Sequence, residues 1–104
     1  MIEIDDKNFA SEVEQAETLA VLDFGAAWCQ PCKKLEPILE ELEKEYEGRA
    51  LIGHCDVAKA PATAQRFGVM SVPTVVFMKK GEVIDKFIGL QPREKIVELL
   101  EKHI

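Results

Sequence analysis

The stretch Leu19-Ala20-Val21-Leu22-Asp23-Phe24 constrains this chain most. It is apolar throughout except for Asp23, with no polar–apolar alternation. Such a run suits a strand covered on both faces, the central position of a sheet with layers above and below it. Asp23 is the conspicuous exception. A carboxylate in apolar surroundings is costly to ionise, and desolvation pushes its titration upward. Gly25 to Gln30 then reads as a turn, and Pro31 opens a helix at the first helical position, where its missing N–H costs little.

The remaining elements alternate around this strand. Ile2-Glu3-Ile4 reads as a short strand, and Asp5 or Asp6 caps a helix over Lys7 to Glu14, with Phe9 and Val13 on its apolar side. In the helix from Pro31, residues Leu35, Ile38, Leu39, Leu42 and Tyr46 recur at helical spacing, opposite Lys34, Glu41, Lys44 and Glu45. Pro37 lies inside it and should kink it, and Gly48 ends it. Ala50 to Val57 reads as a third strand and Ala60 to Phe67 as a short helix. Thr74 to Met78 is β-branched and aromatic, hence a strand. A hairpin at Lys79-Lys80-Gly81-Glu82 leads into Val83 to Ile88. Gln91-Pro92 opens a last helix with a stripe of Ile96, Val97, Leu100 and Ile104. The order βαβαβαββα calls for right-handed crossovers between parallel strands and a closing antiparallel hairpin. The expectation is one α/β domain over residues 1–104, a mixed central sheet with helices on both faces.

The chemistry concentrates at Trp28-Cys29-Gln30-Pro31-Cys32-Lys33. Two cysteines separated by two residues can close a small disulfide ring. Cys29 falls where strand gives way to helix, and backbone N–H groups at a helix start stabilise an anion. A thiolate is the nucleophile of disulfide exchange, so Cys29 is the favoured attacking sulfur. Cys32, about one turn inside the helix, suits a resolving thiol that attacks the mixed disulfide. Competing readings are a structural zinc site, covalent haem attachment and an inert pair. Zinc needs further ligands, and His54 and Cys55, adjacent on one strand, point to opposite faces. Haem attachment calls for His where Lys33 stands. Asp23, upstream of Cys29, is a candidate proton acceptor for Cys32; a strand acid with no part in the chemistry is the alternative. Val72-Pro73 precedes a strand; a cis bond there would make a tight turn near the cysteines, leaving Val72 backbone free to pair with an extended peptide.

Charge narrows the partners. With 13 basic and 19 acidic residues the net charge is −6, the opposite of what phosphate backbones or anionic lipids attract. No apolar run approaches a membrane span, and the first residues, Met1-Ile2-Glu3-Ile4-Asp5-Asp6, have no secretory pattern. The expectations are a cytoplasmic, monomeric protein that binds neither nucleic acid nor membrane. The odd count of cysteines (Cys29, Cys32, Cys55) points to redox chemistry or metal binding rather than a disulfide framework.

These residues resemble the thioredoxin family. Val21-Leu22-Asp23-Phe24, Ala26 and Trp28 to Lys33 are similar to its active-site signature, and Val72-Pro73-Thr74 to its cis-proline segment. Phe67-Gly68-Val69 and Gly89 also fall at family-like positions. The resemblance covers essentially the whole chain. It implies the thioredoxin fold, a five-stranded mixed sheet flanked by four helices, and an activity: reduction of disulfides in other proteins. Cys29 would be the nucleophile, Cys32 the resolving thiol and Asp23 the buried acid. Pro73 would be cis, and Trp28, Gln30, Pro31, Val72, Pro73, Ile88 and Gly89 would meet the substrate. A thioredoxin reductase would recycle the chain, which would hold no cofactor and no metal itself. A disulfide oxidase or isomerase and a non-enzymatic binding subunit are the alternative functions. This chain departs from the family pattern at four places. Gln30 stands where Gly is usual, Gly25 where many members carry a second Trp, His54 where a Lys often pairs with the buried acid, and Cys55 is extra.

Overall fold

The computed structural model describes residues 1–104. Its five strands are β1 (Ile2–Glu3), β2 (Leu19–Gly25), β3 (Ala50–Asp56), β4 (Thr74–Lys79) and β5 (Glu82–Ile88), and its α-helices are α1 (Gln30–Glu45), α2 (Pro61–Arg66) and α3 (Arg93–His103). The strands form one sheet in the order β1-β3-β2-β4-β5. β1 and β2 run parallel to β3, whereas β4 runs antiparallel to both β2 and β5. This is the mixed α/β sheet expected of the thioredoxin fold.

β2 lies at the centre, and every one of its residues is buried. Its alternating side chains divide between two cores. Leu19 and Val21 join Ala50, Ile52, Val75 and Phe77 under α1 and α3, where Leu35, Leu39, Leu42, Ile96 and Leu100 pack. Ala20, Leu22 and Phe24 join Ile4, Val76, Met78 and Cys55 on the opposite face, under Phe9, Val13 and α2. Truncating a fully buried leucine such as Leu39 to alanine typically costs about 2–5 kcal/mol, so these two clusters hold the sheet between its layers. Asp23 falls on the α1 face by the same parity.

The expected helix over Lys7 to Glu14 takes another form. Asp5 Oδ1 accepts from the N–H groups of Lys7 and Asn8, and Asn8 Oδ1 accepts from Asp5 N, so the cap is present. The segment then widens into a π-helical turn at Ala10–Glu14, with Gln15 N donating to Ala10 O. Phe9 and Val13 are still both buried. The last helix also differs in detail. It starts one residue after Pro92, and its buried stripe is Ile96, Leu99 and Leu100, whereas Ile104 lies beyond the helix and is exposed. α1 continues through Pro37 to Glu45. The hairpin turn needs left-handed backbone at both central residues, Lys80 (φ 53°) and Gly81 (φ 81°), which matches the twist of the strands it joins.

Candidate functional site

α1 follows the carboxyl end of β2, so the β2–α1 turn presents the cysteines at the end of the sheet's central strand. Cys29 occupies the N-cap position with extended backbone (φ −93°, ψ 113°), and Pro31 lies in the first turn. Cys29 Sγ accepts from Cys32 N at 3.2 Å. That bond satisfies one of the amide donors a helix start leaves unpaired, and it points a partial positive charge at the sulfur. The two sulfurs are joined as a disulfide, with Cα atoms 5.3 Å apart. Both cysteines are buried against Ala26, with Val57 and Val72 packed beside them.

The Val72–Pro73 peptide bond is cis. Cys29 Sγ lies 3.7 Å from Val72 O, which brings the turn before β4 against the disulfide. Gly89 N donates to Pro73 O at 2.8 Å, tying the end of β5 to the same turn. β4 starts only at Thr74, and the Val72 backbone makes no bond to other backbone. Of the residues expected to meet a substrate, Trp28 is 77% exposed and Ile88 54%; Gln30 and Pro31 are exposed, Val72 and Gly89 half-buried, and Pro73 buried. Gln30 and Pro31 lie between the two cysteines in sequence, Val72 packs beside the pair, and Gly89 is tied to the Pro73 turn. Sequence reasoning missed one wall of this surface. Trp28 and Val72 share a groove of about 170 Å³ with Val57, Val69, Met70 and Ser71, and Met70 is 95% exposed. The signal was an apolar pair, Val69-Met70, placed directly before Ser71-Val72-Pro73.

Asp23 lies on β2, two residues before Gly25. It is fully buried, and neither carboxylate oxygen has a hydrogen-bond partner. Burial pushes its carboxyl up to about 7; His54 opposes that rise, and Glu36 and Glu3 add to it. β2 and β3 pair with Asp23 opposite His54 and Phe24 opposite Cys55. His54 and Cys55 thus face opposite sides of the sheet, as their adjacency on one strand predicts. Cys55 belongs to the second core, and burial pushes its thiol up to about 12, so it has no place in the site. Gly25 carries the β2 face onward from Asp23 to Cys32. A Cβ built at Gly25 would lie 3.5 Å from both Cβ and Sγ of Cys32.

Sequence comparison agrees with this geometry. The thioredoxin family profile matches residues 1–102. Thioredoxin of Staphylococcus saprophyticus is 43% identical over 104 residues, spanning 100% of this chain and 98% of that protein. Thioredoxins of Staphylococcus aureus strains Mu50 and N315 are each 44% identical over the same span.

The chain belongs to the thioredoxin family. Its Cys29–Cys32 pair is the redox-active centre, and its chemistry is thiol–disulfide exchange. An attacking sulfur at a helix start and a second sulfur within bonding distance are the two parts that exchange requires. The thioredoxin fold sets both from one junction, the passage from β2 into α1. No helix is long and apolar enough to cross a membrane.

Proposed function

We propose that the chain acts as a single-domain, monomeric, cytoplasmic reductase of disulfide bonds in other proteins, and that a thioredoxin reductase returns it to the dithiol state. The observation that carries this reading is the Cys32 N–H directed at Cys29 Sγ at the start of α1. In the reduced protein that donor stabilises a Cys29 thiolate. The thiolate attacks one sulfur of the substrate disulfide; that bond breaks, a mixed disulfide forms, and the first substrate sulfur leaves as a thiolate that takes a proton from solvent. Cys32 then gives up its proton and attacks Cys29 Sγ. The Cys29–Cys32 bond forms as the mixed disulfide breaks, and the second substrate thiolate departs. Two electrons pass from the dithiol to the substrate.

Asp23 is the proton acceptor for Cys32 in this reading. A carboxyl that titrates near neutrality can take a proton from a thiol and release it again, which an ordinary exposed aspartate does poorly. Trp28, Gln30, Pro31, Val72, Pro73, Ile88 and Gly89 form the docking surface. The Val72 backbone, unbonded to other backbone, pairs with an extended stretch of the substrate beside the reacting sulfur.

The test is reduction of insulin by dithiothreitol, followed as turbidity. The chain should accelerate it, and Cys29→Ser should abolish the acceleration. Cys32→Ser should instead accumulate a mixed disulfide visible by mass spectrometry. No acceleration by the unaltered chain leaves only a binding role. A reduction potential as oxidising as that of a disulfide-forming enzyme reverses the assigned direction.

A further inference from the structure

Sulfur occurs in this chain in three cysteines and three methionines, and the fold treats them unequally. Cys29, Cys32 and Cys55 are buried, the first two as a disulfide. Met78 is buried in the second core, and Met1 is half-buried against the first. Met70 alone is exposed, and more fully than any other large apolar side chain. The next most exposed is Trp28, and the two line the same groove. The backbone holds Met70 at that place. Val69 N donates to Ala64 O at 3.1 Å on one side of it, and Thr74 Oγ1 donates to Ser71 O at 2.7 Å on the other. Two residues further on, Val72 O lies 3.7 Å from Cys29 Sγ.

A thioether suits an apolar wall that meets partners of different shape, being unbranched and polarisable. It is also open to a chemical change that the other wall residues resist. The buried sulfurs are shielded, and the disulfide holds no thiolate, so a peroxide in solution meets Met70 first. The Met70 sulfur attacks one oxygen of hydrogen peroxide. An S–O bond forms, the O–O bond breaks, and the second oxygen leaves as water with both peroxide hydrogens. Sulfur is oxidised by two electrons and the peroxide is reduced by two. The sulfoxide oxygen is a strong acceptor, set in a groove whose only polar lining residue is Ser71. An apolar segment docked there strips its water and leaves it unpaired.

We propose that Met70 is an oxidation site that controls docking: its conversion to the sulfoxide by hydrogen peroxide weakens the hold on protein substrates and leaves the exchange chemistry of Cys29 and Cys32 intact. The inference rests on the disulfide-reductase reading given above and adds a control on which disulfides the chain reaches. The two oxidations are independent. A thiol reductant returns the cysteine pair to the dithiol, whereas the sulfoxide goes back only through a methionine sulfoxide reductase. A chain that has met peroxide therefore keeps a working dithiol and loses protein substrates until that repair.

The full-length chain in its disulfide form is treated with hydrogen peroxide, catalase removes the excess, and peptide mapping locates the added oxygen. Met70 should be oxidised faster than Met1 and far faster than Met78. The kcat/KM for insulin should then fall on the order of tenfold. The rate with hydroxyethyl disulfide, too small to fill the groove, should not change. Methionine sulfoxide reductase should restore the insulin rate. Met70→Leu, whatever its starting rate, should keep that rate through peroxide, and Met70→Gln should start below the unaltered chain. Oxidation of Met70 no faster than of Met1 overturns the proposal. So does an equal loss with both disulfides, or the same loss in Met70→Leu. Failure of the untreated chain in the insulin assay would instead sink the reductase reading. Met70 is then judged by NMR titration with an insulin B-chain peptide whose cysteines are alkylated: weaker binding to the sulfoxide form upholds its role, and unchanged binding ends it.

Discussion

Replacing Asp23 by asparagine should make the protein more stable, and by an amount that depends on pH. In the folded chain the carboxyl is raised from 3.8 to about 7. The folded state therefore holds the proton more tightly than the unfolded state. An acid shifted this way costs the fold nothing below its unfolded titration, and an increasing amount as pH rises from there to the folded value. Each unit corresponds to about 1.4 kcal/mol, so the full cost is on the order of 4 kcal/mol and is complete a little above pH 7. Asparagine nearly matches the protonated acid in shape and polarity and cannot ionise. Urea unfolding of the disulfide form should thus give nearly equal stabilities for Asp23→Asn and the unaltered chain at pH 4. By pH 8 the variant should lead by about 3–4 kcal/mol. Other titrating groups are common to both proteins and largely cancel in the difference. A gap that stays flat across that range would mean that Asp23 ionises at an ordinary pH, and the argument from its unpartnered, buried oxygens would fail.

Three further outcomes follow from other parts of the fold. A Cβ at Gly53 would lie 2.9 Å from Ile4 Cγ1 and 3.4 Å from Ile2 Cγ2, so Gly53→Ala should press β1 off β3 and cost about 1–3 kcal/mol in chemical denaturation. Cys55, buried and with its thiol pushed up to about 12, should resist iodoacetamide at pH 8 in the native protein and react once urea unfolds it; peptide mapping reads the difference. Trp28 is 77% exposed, so Trp28→Ala should change stability by no more than about 0.5 kcal/mol. The same change should lower kcat/KM for insulin roughly five- to thirtyfold, the loss of one aromatic docking contact.

Much of this was legible because short-range patterns carry it. The apolar run around Asp23 announced a central strand, and β2 is buried along its whole length. Leu35, Leu39 and Leu42 announced the inner face of α1. Cys29 at the strand-to-helix junction followed from the end of that run, the turn after it and Pro31. The misreadings have local causes. A capped start with Phe9 and Val13 four apart fits a π turn as well as an α-helix, because both spacings bury the same two side chains. In α3, Leu99 and Ile104 compete for one stripe, and the helix ends before Ile104 can join it. Other features lay out of reach because they arise from register between distant segments. Nothing near His54 in sequence says that Glu3 and Glu36 will bracket its ring, and nothing near Trp28 says that Met70 will share its groove.

The chain has one tryptophan, and it stands immediately before the first redox cysteine, turned toward solvent. A nearby disulfide quenches indole emission and a dithiol does so less, so the protein carries its own optical reporter. Reduction, reoxidation and the arrival of a partner at that face can each be followed in unlabelled material, with no second indole elsewhere in the molecule to obscure the signal.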